Sequence, residues 1–276
     1  MRIALCNEVL GGMPLQAQCE YAASLGYDGL EIAPFTLSDS PETLSTADAT
    51  KIRRVVEASG LVVTGLHWLL IKPEGLSLTD PDAIVRGRTV DVMIRLTALC
   101  AELGGAVVVH GSPVQRQITP GESHEVALAR VRDGLAQVAA AAAKAGVIYC
   151  IEPLSREQTP LVNTIAEAAD LVRSIDQSSL RTMIDCSAAG LTETETIAEL
   201  IDRWLPTGLI AHIQVNDPNR RGPGQGDMKF APILAALKRN HYAGTVAVEP
   251  FDYFPDGRAV AARSAGYLRG LREALG

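Results

Sequence analysis

The sequence predicts a single-domain α/β protein, a (β/α)8 TIM barrel over residues 1–276, on three observations. Short, continuously apolar runs alternate with helical stretches along the whole chain, the sign of repeated βαβ units. Eight such units can be counted, and 276 residues is close to the ~250 typical of this barrel. No linker, short-period repeat or charge block interrupts the alternation, so no domain boundary is marked.

The expected strands run over 2–8 (RIALCNE), 28–33 (DGLEIA), 61–67 (LVVTGLH), 106–110 (AVVVH), 147–152 (VIYCIE), 181–185 (RTMID), 209–215 (LIAHIQV) and 245–249 (TVAVE). Their unbroken apolar character suits parallel strands covered on both faces. Pro81-Asp82 opens a helix to about Leu103, and Glu122-Ser123 opens another to about Lys144; Gly104 and Gly146 fall where their C-caps should be. The connections 34–49, 68–80, 111–122 and 216–228 are the long ones, and all leave strand C-termini, the catalytic face of this fold.

A formal charge of −7 opposes affinity for phosphate backbones, so nucleic acid is not expected as a partner. No stretch approaches the ~18 uninterrupted apolar residues of a membrane span, and the N-terminus lacks the h-region of a signal peptide. Cys6, Cys19, Cys100, Cys150 and Cys186 are odd in number and form no CxxC pair, which points to reduced thiols in the core of a cytoplasmic protein.

Glu152, Asp185, His212 and Glu249 each sit at or just inside the end of an expected strand, on strands five to eight. One acid at such a junction is commonly a helix N-cap. Four polar side chains converging on one barrel mouth need a shared partner to offset their desolvation, and a divalent cation supplies one. Three carboxylates and one imidazole form a hard donor set that suits Mn²⁺ first, with Mg²⁺ or Co²⁺ as alternatives, over a structural zinc. Cys150 should share the face of Glu152 one layer deeper, and neither it nor Cys186 is expected to be a ligand.

The segments GYDGLEIA, VVVHGSP, IEPLSREQTPLVNT, MIDCS, HIQVNDPNRRGPGQGD and VAVEPF resemble the xylose-isomerase-like sugar phosphate isomerase/epimerase superfamily, most nearly its ketose 3-epimerase and hydroxypyruvate isomerase branches. The resemblance implies that Glu152, Asp185, His212 and Glu249 ligate one metal. It also implies that Glu152 and Glu249 are the acid/base pair that moves a proton beside a carbonyl through a metal-stabilised enediolate. It further implies a sugar or keto-sugar substrate and a homodimer or homotetramer.

Two departures bear on that substrate. Ala188 stands where the relatives carry a substrate-contacting His, and Gln158 where they carry a Glu. An acidic, shorter or oxidised sugar would fit these changes, with Arg220 or Arg221 meeting it. His67, Trp68, His110 and Glu31, at the ends of strands two to four, are further expected pocket contacts. Gly224 and Gly226 are expected to let their loop bend close to the metal. A metal-dependent lyase or dehydratase of an inosose or keto-sugar is the nearest rival. An endonuclease IV-like phosphodiesterase is a remote one, because the extra His ligands such a site requires after strands six and seven are missing. A non-catalytic sugar binder would not require two metal-bound bases.

Overall fold

The computed structural model describes residues Met1–Gly276. Eight parallel strands close into a barrel in sequence order: β1 Arg2–Cys6, β2 Gly29–Ile32, β3 Val62–Leu66, β4 Val107–His110, β5 Ile148–Ile151, β6 Leu180–Asp185, β7 Ile210–Val215 and β8 Thr245–Val248. Pairing of Ile3 with Val246 and of Leu5 with Val248 closes the ring between β1 and β8. The helices are α1 Leu15–Ser24, α2 Thr46–Ala58, α3 Ala83–Leu103, α4 His124–Ala145, α5 Ile165–Ile175, α6 Cys186–Thr192, α7 Ile197–Trp204, α8 Phe230–Arg239 and α9 Gly257–Ala274. The expected TIM barrel is the observed fold, with each expected strand in place, seven of them trimmed by one or two residues at an end and the sixth lengthened by one. None of the helices is long and apolar enough to cross a membrane.

Local chemistry explains where the helices stop and start. Asp82 and Ser123 cap the N-termini of α3 and α4, and Gly104 and Gly146 end them in the left-handed conformation. One continuous apolar cluster fills the space between strands and helices. A small separate cluster of Val109, Cys150 and Met183 lies two residues below Gly111, Glu152 and Asp185. Strand alternation therefore puts it inside the barrel, as the floor under those side chains. All five cysteines are buried free thiols.

The largest local departure from expectation is at β1. The strand ends at Cys6, and Asn7–Leu10 turn inward as a 3-10 segment with all four residues buried. Glu8 is thereby carried into the protein interior rather than standing in the strand.

Candidate active site at the barrel mouth

β5, β6 and β8 deliver Glu152, Asp185 and Glu249 to one point. Their carboxylate oxygens lie within 4.8 Å of one another, and all three side chains are more than nine-tenths buried. They line a cavity of about 390 Å³ with Trp68, Gly111, Ser155, Glu157, Gln158, Ala188, Arg220 and Phe251. Gly111 is required there: a Cβ on it would come 1.7 Å from Glu152 Oε2.

Asp185 has two roles. Its Oδ1 accepts from the Ala188 amide at 2.6 Å and so caps α6, while Oδ2 accepts from Asn216 Nδ2 at 2.7 Å. Asn216 also donates to the Glu249 carbonyl at 3.0 Å and accepts from the Ser187 amide at 2.8 Å, tying three strand ends together. The cap expected for an isolated acid and the clustered carboxylate are here one residue.

Burial and mutual repulsion hold protons on this cluster. Burial first, then the charges of Glu249 and Asp185, pushes Glu152 well above the usual carboxylate range. Burial pushes Glu249 up to about 8 against the opposing pull of His67. Asp185 rises to about 6 by burial, restrained by the Ala188 and Asn216 donors.

His212 stands in the middle of β7 opposite Met183, a layer below the strand end. Its Nε2 is 2.7 Å from Glu31 Oε2, but the ring is not aligned for a hydrogen bond, and neither ring nitrogen has such a partner. The imidazole thus stands with Glu31, outside the three carboxylates that converge within 4.8 Å, and those carboxylates are by themselves a hard donor set that fits a divalent cation. The residues present therefore suit the metal that the sequence implies.

Three of the expected pocket contacts stand behind the cavity wall instead. Glu31 is fully buried under the site, where Gln214 Nε2 donates to its Oε1 at 2.9 Å. His67 is fully buried behind Glu249, with Nδ1 2.7 Å from Glu249 Oε1 and Nε2 3.0 Å from Glu8 Oε2. Burial opposes its positive charge, but Cys6, Glu8 and Glu249 outweigh it and raise the imidazole well above its ordinary range. His110 pairs through Nδ1 with Tyr149 Oη at 2.8 Å, and burial and Arg116 keep it well below the usual imidazole range. Glu31 and His110 belong to β2 and β4 and His67 directly follows β3, and all three side chains are buried outside the cavity lining.

Trp68, Gln158 and Arg220 do line the cavity. Trp68 packs edge-on between Phe35 and Phe251, at 5.4 Å from each ring centroid. Gln158 directs its side-chain oxygen to the Ser155 amide and hydroxyl, both at 3.0 Å, which leaves its amide nitrogen for the cavity. The two arginines separate cleanly. Arg221 pairs with Asp252 at 2.8 Å and covers Phe254, whereas Arg220 lies over Phe251 and is the one cation on the cavity wall.

Gly224 and Gly226 shape their loop in a different way from that expected. Gly226 lies against the buried Asp217, whose carboxylate accepts from Asn219 and Met228, and Gly224 lies against Tyr267. They pack the loop on its own anchor and on α9 rather than on Glu152, Asp185 or Glu249. Sequence reasoning also missed Glu8, Asn216, Gly111 and Arg116. The first two carried a signal as polar residues just past strands one and seven. Arg116 carried none, yet it is fully buried and donates Nη1 to the Glu152 carbonyl at 3.0 Å.

Residues 19–271 match the model of the xylose isomerase-like TIM barrel family. The chain belongs to that family. It is 29% identical over 234 residues to a D-psicose 3-epimerase of Enterocloster bolteae, covering 83% of this chain and 74% of that protein. It is 24% identical over 260 residues to a 3-dehydro-D-guloside 4-epimerase of Escherichia coli, covering 90% and 92% respectively. Among solved structures, D-psicose 3-epimerase in the presence of D-fructose superposes with a TM-score of 0.83 at 22% identity, over 98% of this chain and 99% of the other. The E. coli 3-keto-D-glucoside 4-epimerase gives 0.82 at 22%, over 98% and 99%. These relatives are epimerases, which places the chain among isomerase-class enzymes.

Proposed function

We propose that this protein is a divalent-metal-dependent sugar epimerase/isomerase that moves a proton on the carbon beside a ketose or keto-sugar carbonyl. The observation that carries this reading is the convergence of Glu152, Asp185 and Glu249 within 4.8 Å at the floor of a sugar-sized cavity. Glu152, Asp185, Glu249 and His212 would hold the metal, Mn²⁺ being favoured and Mg²⁺ or Co²⁺ also suited to the donors. A bound divalent ion supplies Lewis-acid stabilisation for the charge that develops when a C–H beside a carbonyl is deprotonated.

Glu152 and Glu249 come from the ends of β5 and β8, and the two-base reading assigns them to opposite faces of a planar intermediate. One takes the proton and the other returns one, which inverts the carbon. Trp68 and Phe251 cover an apolar sugar face, and both lie on the cavity wall. Arg220, with no carboxylate partner of its own, favours a substrate bearing an acidic or oxidised group at the end away from the metal. Assembly as a homodimer or homotetramer through the outer helices accompanies this reading and is measured by sedimentation.

Proton NMR of the Mg²⁺-loaded enzyme in D₂O, against ketoses, ketose phosphates, hydroxypyruvate and keto-acids, tests the proposal. Metal-dependent deuterium uptake beside the carbonyl, with the mass otherwise unchanged, is the expected result. Loss of water without exchange would replace it with a dehydratase.

A further inference from the structure

The two glutamates are held differently. No donor reaches the Glu152 carboxylate, which rests against the bare backbone of Gly111. Glu249 Oε1 is held at 2.7 Å by His67 Nδ1, and the far side of the same ring meets Glu8 Oε2 at 3.0 Å. The three residues come from the turn after β1, the end of β3 and the end of β8, and so gather at the seam where the barrel closes. His67 is fully buried, and neither it nor Glu8 lines the cavity. A buried imidazole with an acid on each nitrogen is oriented in one way only.

We propose that His67 is a positioning residue that pins Oε1 of Glu249 from behind, leaving its other oxygen for the metal, and that Glu8 fixes His67 in turn. This rests on the metal reading above. A glutamate has three rotatable bonds, and a donor fixed to one of its oxygens removes that freedom before the metal arrives. Partners of this kind behind ligands typically change metal affinity by about 10- to 100-fold.

Mn²⁺ titration without substrate, followed by the EPR signal of the free ion, is the test. His67→Leu, which fills the space without a donor, is expected to weaken affinity about 10- to 100-fold. His67→Asn, which returns a donor near the position of Nδ1, is expected to stay within about threefold of the parent. Glu8→Ala is expected to weaken affinity in the parent and to add nothing in the His67→Leu background, because it acts through the same ring. Undiminished affinity in His67→Leu, or equal losses in His67→Leu and His67→Asn, would overturn the proposal. If His67→Leu does not fold, Glu8→Ala decides: weakened affinity supports the proposal and unchanged affinity overturns it. A parent protein that takes up no Mn²⁺ overturns the metal reading itself. That outcome differs from one in which parent and variants bind equally, which removes only the role of His67.

Discussion

A methyl group at Gly111 would meet the end of the Glu152 side chain rather than backbone, so the chain can accommodate it by moving that carboxylate. Gly111→Ala is therefore expected to fold with near-parent stability while losing about 100-fold or more in turnover, the cost of shifting a reacting group by about an ångström. Steady-state kinetics beside a urea titration separate the two effects. Asn216→Ala should behave in the opposite way. It strips a donor from Asp185 and from the Glu249 carbonyl, and leaves the Ser187 amide without its acceptor. A stability loss of about 2 kcal/mol or more is expected by urea titration, together with weaker metal uptake. For the proposed acid/base pair, Glu152→Gln and Glu249→Gln should each abolish epimerisation, and epimerisation retained in either variant would sink the two-base scheme.

Strand ends and the loops that follow them do separate jobs. β5, β6 and β8 fix the carboxylates, whereas the loop after β7 carries Arg220 over Phe251 and hangs on Asp217. That division makes Gly226→Ala informative, because its Cβ would land 2.0 Å from Asp217 Oδ1 and dislodge the loop from its anchor. The variant is expected to raise KM several-fold while its Mn²⁺ affinity stays at the parent value, since no metal ligand lies on the loop. The start of α7, unlike that of α6 with its Asp185 cap, is a matter of stability alone. Thr196 and Glu199 form a reciprocal capping box at the start of α7, on the outside of the barrel, and Thr196→Ala should cost about 1 kcal/mol without changing turnover.

For the whole molecule, the barrel interior is destabilised by the charges it must host. Glu249 titrates at about 8 and Asp185 at about 6 in the folded protein, against ordinary values of 4.5 and 3.8 in the unfolded chain. Between these limits the native state binds more protons than the unfolded one, so stability falls as pH rises. The metal-free protein should therefore show a Tm that is highest near the ordinary carboxylate range and declines steadily up to about pH 8. Divalent metal needs the ionised carboxylates, so its affinity rises over the same range and its addition should restore Tm most at the alkaline end. Differential scanning calorimetry with and without EDTA at several pH values reads both trends; a metal-free Tm that climbs with pH would contradict the burial argument.

The sequence by itself determined the barrel, its single domain, the order of its strands and the positions of Glu152, Asp185 and Glu249 at three strand ends. Those features are local: apolar runs, capping residues such as Asp82 and Gly104, and acids placed one βα unit apart are all legible along the chain. Only the tertiary structure decided depth and partnership. A histidine at the end of a strand reads the same whether it faces the cavity or the layer beneath, so His67, His110 and Glu31 were expected at the wall and lie behind it. The inward turn of Glu8, the bridge through Asn216 and the separation of Arg220 from Arg221 arise where residues remote in sequence meet at the mouth of the barrel. No periodicity along one chain records which side chains will share a few ångströms of buried space, because that is set by closure and packing of the whole barrel.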